Sequence, residues 1–197
     1  GHRIAVLLEN RPEMVLFKLA CNLIGVSCVP VNPDYRPAEI AYLLTDSAAD
    51  LTICASPLHD LMQAGVSASG LVIEGAIYDV IGQELALPKA TSAPPVHTAI
   101  TGETEASLIY TSGTTGRPKG CIMSHAYELS LGQWYTTRGG LIQLEAGQTR
   151  VYCPLPLFHV NAGIVLLFGA LISGACQILP QRFSASAWWP EIAQTRA

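Results

Sequence analysis

Short apolar runs alternate with helix-period stretches along the first eighty residues. Arg3-Ile-Ala-Val-Leu-Leu8 reads as a strand. Pro12 then stands where a helix opens, and Met14, Leu16, Phe17, Leu19, Ala20, Leu23 and Ile24 make that helix apolar nearly all round. A helix of this kind is expected to be covered on most sides. Gly25 lies near its end, and Cys28-Val-Pro-Val31 reads as a second strand. A helix over 37–48 follows, with Ile40, Leu43 and Leu44 on one face, then a strand over 51–54, a helix over 57–64 and a strand over 71–74. Strands alternating with helices of this length predict βαβ units and a parallel sheet.

The periodicity then stops. Between Gly82 and Glu105 stand Pro88, Pro94, Pro95 and scattered Ser, Thr and Gly, the signature of a linker. It resumes with a strand at Ala106-Ser-Leu-Ile-Tyr110, a glycine-rich loop, and a helix from Ser124, a candidate N-cap, to about Tyr135. A strand at Val151-Tyr-Cys153, an apolar helix from about Gly163 to Ala175, a strand over 176–179 and a helix from about Ser184 complete the pattern. The expected fold class is α/β, built of parallel-sheet βαβ subdomains. The expected domains are one portion over 1–81, a linker over 82–105 and a second portion over 106–197.

Composition narrows the function. Charged residues make up 13% of the 197, about half the usual share, so we expect a piece of a larger body that covers its faces. Net charge is −4, without a basic cluster, which argues against a nucleic-acid partner. The six cysteines (21, 28, 54, 121, 153, 176) show no C-x-x-C spacing and are expected to be buried, reduced thiols of a cytoplasmic protein. The first apolar run ends at Glu9, so no secretory leader is expected. Val151 to Gln181 lacks Asp, Glu, Lys and Arg, but Pro154, Pro156 and Pro180 interrupt it, which leaves a buried helix too short to span a bilayer.

The glycine-rich loop carries the chemistry. Tyr110-Thr-Ser-Gly-Thr-Thr-Gly-Arg-Pro-Lys-Gly120 leaves a strand with glycines at 113, 116 and 120, which let backbone N–H groups turn inward and an anion approach the chain. Thr111, Ser112, Thr114 and Thr115 add uncharged donors, and Lys119 and Arg117 add cations. The usual nucleotide P-loop spacing is absent, and so is the G-x-G-x-x-G turn. On composition alone, a phosphate cradle and a polar surface loop both stand.

The string Thr111–Gly120 closely resembles the signature loop of the adenylate-forming (AMP-binding) enzyme superfamily, whose acyl-CoA synthetase branch the chain is most similar to. Arg3–Glu13, Gly25–Pro33 and Pro154-Leu-Pro-Leu-Phe-His159 with Val160-Asn-Ala-Gly163 resemble further family segments. Together they cover essentially the whole chain as a partial N-terminal domain. The resemblance implies an enzyme that activates a carboxylic acid with ATP and Mg²⁺, releases pyrophosphate and passes the acyl group to coenzyme A. It implies a part in fatty-acid metabolism as well. Thr111, Ser112, Gly113, Thr114, Thr115, Gly116 and Lys119 would hold the β- and γ-phosphates, with Lys119 an electrostatic clamp. His159 would lie beside the acyl pocket as the catalytic candidate; relatives that activate amino acids commonly carry Asp there, so a free amino acid is disfavoured. Arg182–Pro190 resembles the carnitine/crotonobetaine-type branch. No metal ligand is assigned within these residues. The Mg²⁺-binding Glu and the C-terminal lysine of the family would lie elsewhere, so the 197 residues alone are expected to be inactive. The alternatives are an adenylate-former that loads a carrier protein and a non-catalytic nucleotide-binding module.

Overall fold

Residues 1–79, 85, 87–88, 99–111 and 116–197 are described by a computed structural model of the chain. Among them the chain divides into two compact units, Gly1–Glu9 with Glu13–His125 and Asn10–Pro12 with Ala126–Ala197.

The first unit is a six-stranded sheet in the order β4-β3-β1-β2-β5-β6. Its strands are β1 (Arg3–Leu7), β2 (Ser27–Pro30), β3 (Leu51–Ala55), β4 (Glu74–Tyr78), β5 (Glu105–Thr111) and β6 (Lys119–Ser124). The first five run parallel, as the alternation of strand and helix predicts. β6 turns back antiparallel to β5. Three helices belong to this sheet, α1 (Pro12–Leu23), α2 (Pro37–Ser47) and α3 (His59–Ser69). Parallel strands covered on both faces read as continuous apolar runs, and β2 and β3 are buried at every position.

Ile40, Leu43 and Leu44 of α2 and Met62 of α3 pack with Leu7, Val29, Val31 and Leu108 into one core. Polar ties fix its rim. The Arg3 guanidinium donates to both oxygens of Glu105 at 2.8 Å and to the Ser47 carbonyl at 2.8 Å, and the Asn22 amide donates to the Ala106 carbonyl at 2.6 Å.

Several sequence expectations shift. β5 and β6, grouped with the second half of the sequence, lie in the sheet of the first unit, with Ser107 opposite Cys28 of β2. The apolar residues Ala106–Tyr110 are buried there. The linker over 82–105 falls largely outside the described residues. α1 is not covered all round: Leu16, Leu23 and Ile24 are exposed while Glu13, Lys18 and Asn22 are buried. β4 begins only at Glu74, the last residue of the expected run over 71–74, and β6 had no counterpart in the apolar pattern. All six cysteines are free; four are buried, Cys121 is partly covered and Cys176 is exposed.

The second unit contains α4 (His125–Thr136, from Ala126 onward), a two-stranded parallel pair of β7 (Arg150–Tyr152) and β8 (Cys176–Ile178), α5 (Leu167–Ser173) and α6 (Trp188–Thr195). A π-helical segment, Asn161–Leu166, leads into α5. α4 crosses α5 closely: a Cβ on Gly132 would sit 2.5 Å from Phe168 Cβ and 2.7 Å from its backbone carbon. Among the described residues no helix is long and apolar enough to cross a membrane.

Candidate functional site

The glycine-rich motif joins β5 to β6. Thr111 is the last residue of β5 and Lys119 the first of β6, and the two stand opposite each other in the ladder. Opposed residues share a face of the sheet, so the hydroxyl and the ammonium project side by side, and both residues are exposed. Gly116 is also exposed and has φ +93°, which a side chain would strain. Ser112, Gly113, Thr114 and Thr115 lie outside the described residues. The donors in view, an alcohol, a flexible cation and a glycine backbone, suit a phosphate.

Gly120 departs from the reading that made all the motif's glycines serve the anion. It stands opposite Tyr110, and a Cβ there would lie 3.1 Å from Tyr110 Cζ and 3.2 Å from Leu108 Cδ1. The missing side chain makes room for the tyrosine ring. Tyr110 is thereby carried to α2, where its hydroxyl donates to Asp46 Oδ2 at 2.7 Å. Burial, and then the Asp46 carboxylate, push its phenol well above the ordinary range, so it stays a donor.

Arg117 is held beside the loop by an aromatic ring, its guanidinium 5.6 Å from the centre of Tyr42. A cleft of about 480 Å³ opens there, lined by Tyr42, Thr45, Ser69, Arg117 and Pro118 among others.

His159 belongs to the second unit. It is exposed, and its ring lies 4.6 Å from that of Phe158 at a tilt of 51°. Partial burial pushes the imidazole below its ordinary value, so the ring is neutral near pH 7. His159 ends a turn: its N–H donates to the Pro156 carbonyl at 3.1 Å, and its carbonyl accepts from Gly163 at 2.9 Å. Gly163 is needed for a different reason from a loop glycine, since a Cβ there would fall 2.0 Å from the Leu157 carbonyl oxygen.

Asn10 is the residue that sequence reasoning missed. Its amide nitrogen donates to the carbonyls of Leu155 at 3.0 Å and Pro180 at 3.3 Å, and its oxygen accepts from the Leu157 N–H at 2.8 Å. One side chain thus fixes the backbone of the Pro-Leu-Pro-Leu-Phe run that presents His159. The asparagine stands in the quoted Arg3–Glu13 segment, but its partners lie at least 145 residues away. Among the described residues no group of three or more His, Cys, Asp or Glu could hold a metal ion.

A family model described as AMP-binding enzyme matches residues 1–197. The chain is 34% identical over 186 residues to a 2-succinylbenzoate–CoA ligase of Bacillus licheniformis, covering 94% of this chain and 36% of that protein. It is 32% identical over 198 residues to a steroid-22-oyl-CoA synthetase of Rhodococcus jostii, covering 96% of this chain and 33% of that one. Among solved structures it resembles an o-succinylbenzoate coenzyme A synthetase of Bacillus subtilis in complex with ATP and magnesium ion. The TM-score is 0.76 at 26% identity, with 100% of this chain and 49% of that one covered. The chain therefore spans about a third of the length of these two curated relatives.

Proposed function

The chain belongs to the AMP-binding enzyme family, and from that premise we propose that it forms part of an ATP-dependent carboxylate–CoA ligase. The observation that carries this reading is the pairing of Thr111 with Lys119 at the mouth of the β5–β6 connection, which sets a hydroxyl and a cation on one solvent-facing edge of a glycine-rich loop. Bound MgATP supplies the phosphoanhydride that is broken when a carboxylate attacks the α-phosphorus and pyrophosphate leaves. Lys119 neutralises charge on the β- and γ-phosphates and has no proton to remove. Thr111, Ser112, Gly113, Thr114, Thr115 and Gly116 orient the same phosphates through hydroxyl and backbone donors. His159, neutral and held by its turn, has by the family resemblance the role of a polar donor or acceptor toward the acid, not that of a charge partner. Coenzyme A is the acceptor that the named relatives point to, and the acid is a small carboxylic acid. The two curated relatives act by name on different acids, so fatty-acid metabolism is only one of the roles open to this site.

Carboxylate-dependent ATP–pyrophosphate exchange on the full-length protein tests the reading, with a panel of short, long, aromatic and betaine-type acids. One acid class should support exchange, and Lys119→Ala should lower it by about 10- to 100-fold, the effect of losing a charge-assisted contact. ATP binding without exchange for any acid would overturn the ligase reading in favour of a non-catalytic nucleotide-binding module. Exchange that is followed by acyl transfer to a carrier-protein thiol and not to coenzyme A would overturn the choice of acceptor.

A further inference from the structure

Both ends of the glycine-rich connection are gripped by one turn of α2. Tyr110, the residue before Thr111, donates its hydroxyl proton to Asp46 Oδ2 at 2.7 Å. Pro118, the residue before Lys119, offers its carbonyl to the hydroxyl of Tyr42 at 3.0 Å. Tyr42 and Asp46 are four residues apart, so they share a face of the helix. The Tyr42 hydroxyl has one proton and two acceptors in reach, Pro118 O at 3.0 Å and Asp46 Oδ1 at 3.5 Å. The shorter contact takes it. Arg117 lies over the same tyrosine ring, and Gly120 leaves the space that lets Tyr110 reach Asp46.

α2 itself is rigidly seated. Ile40, Leu43 and Leu44 are buried in the core, Pro37 starts the helix, and the Glu39 carboxylate accepts from the Arg36 backbone N–H at 2.8 Å to cap its first turn. The helix therefore transmits the position of the core to two loop flanks 8 residues apart in sequence. Without these bonds the β5–β6 ladder would still pair the strands, but the Pro118 carbonyl just ahead of Lys119 would lose its tie to α2.

We propose that Tyr42 and Asp46 are positioning residues for nucleotide binding: from α2 they hold Pro118 and Tyr110, and through them set where Thr111 and Lys119 stand. The inference rests on the ligase reading for its kinetic consequence, but not for its structural one.

The test uses the full-length protein with Tyr42→Phe, Asp46→Ala and the double variant. Tyr42→Phe removes one oxygen and leaves the ring. Each single change should raise KM for ATP by about fivefold, the effect of one hydrogen bond, while KM for the acid stays within twofold, roughly the scatter of a surface change. Amide hydrogen exchange at Gly116–Cys121 should speed up while the amides of β1 and β3 keep their protection. Tyr110→Phe should reproduce the Asp46→Ala effect without adding to it. Overturning results are unchanged KM for ATP with unchanged exchange at Gly116–Cys121, or equal rises in both KM values together with loss of protection across the sheet, which would make the contacts merely structural. A wild type that shows no pyrophosphate exchange would remove the ligase reading, and the amide measurement would still decide the clamp.

Discussion

Both units bury apolar side chains, but the first does so along whole strands and the second chiefly along the one segment from Ala162 to Ala170. In the first, β2 and β3 are buried at every residue, and α2 adds Ile40, Leu43 and Leu44 to the same core. In the second, β7 and β8 are three residues each, and α6 has no fully buried residue. Beside that buried segment a short set of contacts ties its parts: backbone against Gly132 and Gly163, and three hydrogen bonds made by Asn10. The difference teaches that the two candidate clusters rest on different kinds of support. The flanks of the glycine-rich loop inherit the rigidity of a sheet core. The His159 turn depends on a few atoms being the right size.

The comparison predicts unequal responses to substitution. Leu44→Ala should cost the protein about 2–5 kcal/mol in urea unfolding, because the side chain is fully buried and its neighbours cannot collapse freely. A loss under about 1 kcal/mol would mean that burial is not what holds the first unit. Gly163→Ala should cost about 1–3 kcal/mol, the usual range for overpacking, and amide exchange should rise at residues 155–163 while β1–β3 keep their protection. Exchange that stays slow at 155–163 would show that the backbone gives way there at little cost.

Asn10→Ala should cost about 1–3 kcal/mol by leaving backbone groups of Leu155, Leu157 and Pro180 without this partner. It should weaken exchange activity more than Asn10→Asp, which keeps the acceptor for the Leu157 N–H. Equal loss in the two variants would remove Asn10 from the support of His159.

The smallest expected effect is electrostatic. Burial pushes the Glu105 carboxyl up, but the hydrogen bonds from Arg3 and the Arg3 charge outweigh it, and the net shift is downward. A carboxylate with a lowered folded-state value contributes above its unfolded value and loses that contribution as the pH falls through the folded one. Stability should therefore fall below about pH 4.5, the unfolded reference. Because the pair is partly exposed, Glu105→Gln should flatten that slope by no more than about 1 kcal/mol. An unchanged slope would show that the ion pair contributes only geometry.

Local patterns announced the elements whose partners are local or uniformly buried. β1, α1, β2, α2 and β3 lie within a few residues of their expected positions, because a central parallel strand must be apolar throughout. β4 slid because it is an edge strand: Ala76 and Tyr78 point inward while Ile77 is exposed, and the more apolar Leu71-Val72-Ile73 before it looked the better strand. β6 was missed because Lys-Gly-Cys-Ile-Met-Ser shows no period-two pattern, and only its ladder to β5 makes it a strand. The loop stood out in the sequence as a candidate for phosphate chemistry because its string resembles a family signature; composition alone left a polar surface loop equally open. Its supports did not stand out: Tyr42 lies 76 residues from Pro118 and Asp46 lies 64 from Tyr110. Gly120 looked like a third loop glycine, and only the cross-strand ring explains it.

The π-helical turn at Asn161–Leu166 makes the aim of His159 a matter of counting. A ring closed from i to i+5 holds one residue more than an α-helical ring. Rewinding these same residues onto the α-helical path would turn everything ahead of them by about 100° relative to α5. The chain could keep every side chain discussed here and still point its histidine elsewhere. For anyone grafting or aligning this segment, its winding is as much a specification as its letters.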